Sequence, residues 1–320
     1  MQKILVIQTA FIGDAILASA VLEKLHQCFP FVQLDLLVRK GNETLYKDHP
    51  FLSNCIVWNK QEGKYKSLFA LRKKIKAEQY DKVINLHRFA SSGFLTAFSG
   101  AKEKIGFDKN PFSFMFSKKI KHEIGSGKHE VERNQQLIES FTDNQFAKPK
   151  LYPTLSNFEK VKEYKTGEYV CMAPSSVWFT KQLPFHKWVE LCDKLSPTTT
   201  IYLLGAPGDA KLCDEINANS THQRIINLSG KLNLLDSCAL MKDAKMNYVN
   251  DSAPLHLASA MNAPTTAFFC STVPSFGFTP LADNSRVVET SKQLDCKPCG
   301  LHGYKQCPKG HFDCGNTIEV

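Results

Sequence analysis

Short apolar runs alternate with amphipathic segments throughout the first half of the chain. The runs at 3–9, 33–38, 55–58 and 82–86 predict buried strands, since they are continuous and bounded by polar residues. Between them, apolar positions recur with helical spacing at 14–28, 65–78 and 91–98. Strands that alternate with helices in this way are typical of βαβ units and a buried parallel sheet.

The second half repeats this alternation. It predicts strands at 169–173, 200–204, 225–228, 246–250 and 265–270, and helices at 186–195, 208–218, 234–242 and 252–262. A polar, proline-bearing stretch at 148–167 separates the halves. We therefore expect an α/β chain with two doubly wound, Rossmann-like domains, 1–155 and 156–320. Their strands would end at a shared cleft that holds the ligand.

One segment, 102–132, differs from the rest of the first half in composition. Lysines and histidines are interleaved there with apolar side chains: Phe107, Phe112, Phe114, Met115 and Phe116. This composition fits a loop or hairpin that covers the cleft, or an amphipathic element on a membrane surface. A plain basic hairpin with a buried aromatic face explains it equally well.

Composition narrows the class of protein. Of 320 residues, 43% are hydrophobic and 22% charged, which is ordinary for a globular enzyme. No stretch approaches the roughly 20 apolar residues that span a bilayer. The opening MQKILVIQTA leads directly into a strand pattern without the features of a signal peptide, so we expect a cytoplasmic protein.

The net charge of +9 lies entirely in the first half. Residues 1–155 hold 24 Lys or Arg against 15 Asp or Glu, whereas residues 156–320 hold 16 of each. A one-sided basic surface suits an anionic partner, such as a phosphorylated lipid, a nucleic acid or an acidic membrane. A surface that serves only solubility is the alternative. No recognised nucleic-acid module accompanies the charge, and we expect no nucleic-acid partner.

A carboxylate follows the first predicted strand, in the segment QTAFIGD at 8–14. Gly13 allows a tight turn there, and Asp14 stands at or near the start of the next helix. Asp is favoured as an N-cap, and the composition alone favours this structural role. At the carboxyl end of a strand, the same side chain could instead act as a general base.

Two loops of the second half carry groups that suit a phosphate. After the strand at 169–173, APSSVWFTKQLP places Ser175, Ser176 and Lys181 in one loop, without the glycines of a Walker motif. Further on, NDSAPLH at 250–256 leads from a strand into a helix, whose first N–H groups can bind an anion. Each motif alone is weak, because Asp251 or Ser252 could simply cap the helix.

Four cysteines cluster near the end of the chain: Cys296, Cys299, Cys307 and Cys314. A CxxC pair followed by two further thiols can close a tetrahedral structural zinc site. The second pair is not CxxC, so reduced thiols that pack the tail, or oxidised thiols, are alternatives. No catalytic role is expected for them.

In this order, the motifs resemble those of the ADP-heptose:lipopolysaccharide heptosyltransferases and their relatives in glycosyltransferase family nine. The resemblance is nearly end to end. It rests on KILVIQTAFIGDAILASAVLEKL, APSSVWFTKQLPFHKWVEL, IYLLGAPGD, NLSGKLNLLD, NDSAPLHLASAMNAPTTAFF and the cysteine-rich CKPCGLHGYKQCPKGHFDC.

The resemblance implies a GT-B-type fold and an inverting transfer of heptose from ADP-heptose to a lipopolysaccharide core acceptor. The first domain would bind the anionic, lipid-linked saccharide at the inner face of the cytoplasmic membrane. The catalytic residues would be Asp14, as the base, and Lys181, which would meet the negative charge of the departing diphosphate. The second domain would bind the nucleotide sugar, with no cofactor required for catalysis. The residues that match its donor site are Ser175, Ser176, Lys181, Asp209, Asp251, Ser252, Ala253 and His256.

The chain departs from the family pattern in places. Ala253 and Pro254 follow NDS where a glycine and an apolar residue are common, and Gln182 stands where an arginine is usual. Pro254 removes one possible N–H donor, although proline is tolerated in a first helical turn. These departures leave a transferase as the expectation, and the alternative that they open is a relative that uses another nucleotide sugar. A non-catalytic sugar-nucleotide or lipid-binding protein is a separate alternative. Its expected signature is a broken base or phosphate site, yet Asp14, Lys181, Asp251 and His256 are all present.

Overall fold

The computed structural model describes residues 2–61 and 63–320, and the side chain of Lys64 is not part of that description. The chain forms two compact units, of which the first ends at Tyr152 and the second spans Pro153–Val320. The division falls within the polar stretch 148–167. Each unit has its own sheet and its own buried core.

The first unit is a six-stranded sheet with helices between its strands. Apolar side chains fill the strands because a parallel sheet is covered on both faces. The strands are β1 (Lys3–Gln8), β2 (Gln33–Arg39), β3 (Asn54–Trp58), β4 (Lys82–Asn85), β5 (Glu103–Phe107) and β6 (Lys118–Ile120). The helices are α1 (Ile12–Cys28), α2 (Lys64–Ala77), α3 (Ala90–Ala97) and α4 (Glu130–Gln136).

The second unit repeats the plan. Its strands are β7 (Tyr169–Ala173), β8 (Thr200–Leu203), β9 (Ile225–Asn227), β10 (Asn247–Asn250), β11 (Thr265–Phe268) and β12 (Ser285–Val288). Its helices are α5 (Leu155–Lys160), α6 (Phe185–Lys194), α7 (Ala210–Asn219), α8 (Leu234–Lys242), α9 (Ala253–Ala260) and α10 (Asp313–Asn316).

Both sheets have the doubly wound strand order. The first runs β3-β2-β1-β4-β5-β6 and the second β9-β8-β7-β10-β11-β12, with every adjacent pair parallel. The order reverses between β1 and β4 in one unit and between β7 and β10 in the other. Ligands of such sheets bind where the carboxyl ends of strands diverge at this reversal.

The structure corrects the expectation for residues 102–132. The hairpin alternative is wrong, because β5 and β6 pair in parallel and extend the first sheet by two strands. A 3-10 turn at Ser113–Met115 lies in the connection between them. Phe107 and Phe116 are buried, whereas Phe114 is 74% exposed, so the aromatic side chains divide between core and surface.

Among the residues described, none of the helices has both the length and the apolar character needed to cross a bilayer.

Candidate functional site

In the second unit, one buried amide holds the loop that follows β7. Asn250, the last residue of β10, is completely buried. Its Nδ2 donates to the carbonyl of Pro174 at 2.9 Å, and its Oδ1 accepts from the backbone N–H of Leu183 at 2.8 Å. Both ends of the serine- and lysine-bearing loop are therefore fixed to the strand beside it, at the point where the strand order reverses.

Lys181 and Asp251 form the charged centre of this site. Lys181 Nζ lies 2.7 Å from Asp251 Oδ2, and both side chains are largely shielded from solvent. Asp251 Oδ2 also accepts from Thr272 Oγ1 at 2.6 Å, which fixes the carboxylate. Because an ammonium has three N–H donors, Lys181 can keep this partner and still donate to an incoming anion.

The two predicted serines lie in the same loop. Ser175 and Ser176 are half-buried, and the carbonyl of Ser176 accepts from Gln182 Nε2 at 2.6 Å. Gln182 therefore braces the loop from within.

A helix begins directly after Asp251. Ser252 is the extended N-cap residue of α9, with Ala253 and Pro254 as the first two helical residues. The N–H of Leu255 bonds to the carbonyl of Ser252 at 3.1 Å. The backbone N–H groups of Ser252 and Ala253 therefore stand at the positive end of the helix dipole, where an anion is stabilised.

His256 lies one turn into α9 and is 5% exposed. Its ring packs edge-on to Phe278, with 6.4 Å between ring centroids. The structure thus places His256 on the same short helix as Ala253, directly after the N-cap residue Ser252.

Asp209 accepts a hydrogen bond within the turn that contains it. It ends the 3-10 turn Pro207–Asp209, and its Oδ2 accepts from the backbone N–H of Ala206 at 2.7 Å. Gly205 is packed against the same side chain, since an added Cβ would lie 2.7 Å from Asp209 Cβ. One carboxylate oxygen is therefore occupied by the turn, and the predicted ribose contact stays a prediction.

The four tail cysteines are all free thiols. Cys314 is buried in the core of the second unit, where Cys307 packs against it. Burial raises the pKa of Cys314 to about 11, and the other three thiols add to the shift. Across residues 2–61 and 63–320, no three His, Cys, Asp or Glu side chains are grouped closely enough to hold a metal ion.

In the first unit, Asp14 lies in the first turn of α1. The N-cap residue of this helix is Phe11, so the prediction that Asp14 is the N-cap residue is wrong, although its carboxylate accepts from the backbone N–H of Phe11 at the helix start. Burial, followed by the charge of Glu130, raises the pKa of Asp14 to about 6. The N–H groups of Asp14 and Phe11 and the guanidinium of Arg88 act in the opposite direction.

A buried ionic network holds Glu130 in place. Arg133 Nε donates to Glu130 Oε2 at 2.7 Å, and His122 Nε2 lies 3.5 Å from the same oxygen. Burial by itself would raise the pKa of Glu130, but His122 and Arg133 outweigh it and lower that pKa. Glu130 is therefore a fixed negative charge that acts on Asp14.

The strand ends beside Asp14 carry basic and polar groups. Thr9 Oγ1 and His87 Nδ1, which follow the neighbouring strands β1 and β4, lie 2.9 Å apart. Burial, with the charges of Lys60 and Arg88, lowers the pKa of His87 to about 4, so the imidazole is neutral near pH 7. Arg39, at the end of β2, lies over the exposed ring of Phe11.

The sequence of residues 68–307, more than half of the chain, matches the model of the family described as glycosyltransferase family 9 (heptosyltransferase). The chain belongs to glycosyltransferase family 9. Lipopolysaccharide heptosyltransferase 1 of Pseudomonas aeruginosa is a relative, 23% identical in a match 314 positions long that covers 93% of this chain and 86% of that protein.

Solved structures of similar fold agree with this membership. A family 9 glycosyltransferase from Veillonella parvula matches with a TM-score of 0.81 and 19% identity, over 89% of this chain and 85% of that one. The Escherichia coli heptosyltransferase WaaC with ADP-2-deoxy-2-fluoro heptose matches with a TM-score of 0.74 and 19% identity, over 90% and 93% of the two chains. The expected fold class, a pair of doubly wound α/β domains of the GT-B type, is confirmed.

Sequence reasoning missed the side chains that hold the site of this glycosyltransferase together. Thr180 Oγ1 accepts from the N–H of Tyr304 at 2.8 Å and from Ser271 Oγ at 3.0 Å. Gly303 fits against it, since an added Cβ would lie 2.8 Å from Thr180 Oγ1. The cysteine-rich tail thus braces the residue next to Lys181, a contact between distant segments that no local pattern announces.

Proposed function

We propose that this glycosyltransferase moves heptose from ADP-heptose to a lipopolysaccharide core acceptor. The observation that carries the proposal is the buried Lys181–Asp251 pair beside the start of α9, at the reversal point of the second sheet. The names of relatives support the choice of substrates: one is a lipopolysaccharide heptosyltransferase, and WaaC has been solved with an ADP-heptose analogue.

In this proposal, residues 156–320 bind the donor. Lys181 and the N–H groups of Ser252 and Ala253 face the diphosphate, with Ser175 and Ser176 as further donors. Negative charge grows on the diphosphate as its bond to the sugar breaks. Donors fixed in advance stabilise that charge more than they stabilise the ground state. His256 lies near the diphosphate or the sugar, and Asp209 reaches the ribose with its remaining oxygen.

Residues 1–155 bind the acceptor, with Asp14 as the general base. An acceptor hydroxyl attacks the anomeric carbon, the bond from that carbon to the diphosphate breaks with inversion, and Asp14 takes the hydroxyl proton. A carboxylate with a pKa of about 6 is mostly ionised near pH 7, yet it is more basic than an ordinary aspartate. This combination suits a base.

The acceptor in this proposal is an anionic, lipid-linked saccharide. Arg39 ends β2, and Lys60 and Arg88 follow β3 and β4, at the edge of the first sheet where Asp14 lies. Their charges complement phosphates or acidic sugars, and the excess positive charge of residues 1–155 draws such a molecule in from a distance. The protein would act in the cytoplasm, as a peripheral enzyme on the inner face of the membrane.

No metal has a role in the proposed transfer, and the structural zinc at Cys296, Cys299, Cys307 and Cys314 stays a prediction. Metal analysis of protein purified without added metal tests it. Zinc near one equivalent per chain that is lost in Cys296→Ser would support the site. Protein without zinc would assign these thiols to packing, as the burial of Cys314 suggests.

Titration calorimetry followed by a transfer assay tests the proposed function. We expect ADP and ADP-heptose to bind in preference to UDP and GDP. Lys181→Ala should weaken this binding at least about tenfold, because a charge-assisted contact to the diphosphate is lost. The matched control is Lys194→Ala, whose ammonium contacts Glu190 on the surface of α6.

Each outcome separates the alternatives. If the protein prefers UDP or GDP, the assignment as a glycosyltransferase would stand, but heptose would be ruled out as the donor sugar. ADP-heptose binding without transfer to a lipopolysaccharide core acceptor would favour a non-catalytic binding protein. Equal losses in Lys181→Ala and Lys194→Ala would contradict the assigned donor site.

A further inference from the structure

A continuous row of aromatic side chains crosses the surface of the first unit. The row, called here the aromatic strip, starts on α2, crosses α3 and ends in the 3-10 turn before β6. Ring centroids of successive members lie 5.0–6.4 Å apart. Its members are Phe69, Phe94, Phe98, Phe112 and Phe114.

The strip is open to solvent, above all at its two ends. Phe69 is 58% exposed and Phe114 is 74% exposed, whereas the three rings between them are half-buried. Contiguous exposed aromatic rings are uncommon on a monomeric surface and mark a site of interaction.

The charge around the strip is mostly positive, although two of its lysines, Lys102 and Lys121, are paired with Asp81 and Glu123. The three segments that form it, 64–77, 89–102 and 109–122, hold eleven Lys or Arg residues and no Asp or Glu. Ten of the eleven are lysines. Exposed ones among them include Lys66, Lys73, Lys74, Lys109 and Lys119.

The strip is held in shape from below. Asn110 is 2% exposed, and its Nδ2 donates to the carbonyls of His87 and Phe89 at 3.1 Å each. Its Oδ1 accepts from the N–H of Phe112 at 3.0 Å. The turn that carries Phe112 and Phe114 is thus fastened to the start of α3, which fixes the exposed rings relative to one another.

We propose that the aromatic strip and its lysines dock the first unit on an anionic lipid surface. Aromatic rings partition into the interface between headgroups and acyl chains, while lysine stems lie on apolar surface with their ammonium groups in water. Protein interfaces, in contrast, are depleted of lysine and enriched in arginine. The excess of lysine therefore favours a lipid surface over a protein partner.

This docking surface rests on the proposed lipid-linked acceptor and deepens it. Phe89, 67% exposed, precedes α3, and its ring centroid lies 4.7 Å from that of His87. His87 in turn contacts Thr9, at the end of the neighbouring strand β1. Phe89 thus stands in the chain between this edge and α3, so the strip and the proposed base lie on neighbouring elements of one unit.

Vesicle flotation of the full chain tests the proposal. The probes are vesicles of phosphatidylcholine with an equal amount of phosphatidylglycerol, and vesicles of phosphatidylcholine alone. We expect binding to the first, weakened by salt, and little binding to the second. Phe69→Ser/Phe114→Ser should weaken it at least about tenfold because both exposed rings are lost. The matched control is Phe31→Ser, an 85% exposed ring outside the strip.

Charge reversal supplies a second test. Lys73→Glu/Lys74→Glu on α2 should abolish binding to the anionic vesicles. Lys47→Glu/Lys211→Glu makes the same change in net charge at exposed positions away from the strip, and should retain most binding. Equal losses in the two charge variants would mean that only net charge matters, which overturns the docking surface.

The remaining outcomes are equally decisive. The proposal would be overturned if wild-type protein does not bind anionic vesicles, or if the strip variants bind them as well as wild type does. An assay of heptose transfer to a deacylated, water-soluble acceptor tests the proposed function without membrane docking. The strip variants should keep that activity, whereas wild-type protein that binds vesicles but transfers no heptose would contradict the function alone.

Discussion

At the start of α1, Asp14 combines partial burial with a nearby negative charge. Burial and Glu130 both penalise its ionised form, and together they outweigh Arg88 and the backbone N–H groups. The ionised form that the proposed base requires is therefore unfavourable to the fold. A side chain that is costly to ionise and lies at the edge where such sheets bind ligands is a functional candidate.

Asp14→Asn should reduce turnover by roughly a hundredfold or more, with ADP binding unchanged, because the general base is lost. The folded-state pKa of Asp14 is raised, so any stability it contributes is present at low pH and lost as pH rises through about 6. Asp14→Asn should therefore unfold at the same or a higher temperature than wild type at pH 8. Normal turnover in this variant would remove Asp14 from the mechanism.

The pH dependence of kcat supplies the companion measurement. Activity should fall as pH drops through about 6, where Asp14 becomes protonated. Glu130→Gln should move this acidic limb to lower pH because a negative neighbour is removed. Arg88→Met should move it to higher pH because a positive one is removed. If the acidic limbs of the two variants do not shift, or shift in the same direction, Asp14 is not the titrating group.

At the scale of the element, short connections are positioned by buried amides. Asn250 fastens the loop after β7, and Asn110 fastens the turn between β5 and β6 to α3. In both cases one side chain satisfies several backbone groups that would otherwise be buried without partners. Helix and strand patterns predict the elements, but these contacts decide where the loops lie.

Gly93, on α3, leaves room for Asn110, and we expect Gly93→Ala to destabilise the protein. An added Cβ would lie 1.9 Å from Asn110 Oδ1, so the amide must move and its hydrogen bonds weaken. Overpacking of this kind costs about 1–3 kcal/mol. Thermal or urea unfolding measures the change, with Gly208→Ala as control, since its added Cβ meets nothing within 4 Å. Equal stability of both variants would contradict the packing at Asn110.

At the scale of the whole molecule, the two units differ in net charge, and each has its own apolar core. Each unit buries its own apolar cluster, and the positive excess belongs to residues 1–155 alone. The residues proposed to bind the donor all lie in the second unit, and the proposed base lies in the first. Such units are independent in the sense that each has the core needed to fold.

The fragment 153–320 should therefore fold by itself and bind ADP. We expect a single cooperative unfolding transition, and ADP affinity within about tenfold of that of the full chain, because the assigned contacts are internal to this unit. Circular dichroism and calorimetry provide the measurements, and Lys181→Ala in the fragment is the control for specific binding. A fragment without a cooperative transition would show that the second unit depends on the first.

The sequence by itself determined the helices and strands whose hydrophobic pattern matches their secondary structure. Tyr169–Ala173 and Leu234–Lys242 have the bounds that apolar runs and helical spacing predict, since such patterns reflect burial of one face or of a whole strand. The loop with Lys181 and the helix start after Asp251 were also visible, because hydroxyl and charged groups follow apolar strands there.

Tertiary structure decided the rest. β5, β6 and β12 escaped prediction because charged or polar residues interrupt their apolar patterns, as in EKIGF, KKI and SRVV. Their strand character comes from pairing with a neighbour. The Lys181–Asp251 pair, the tail bracing Thr180 and the charge of Glu130 on Asp14 join segments far apart in sequence. Local patterns record which face of a segment is buried, but only the folded chain determines which distant side chains share that burial.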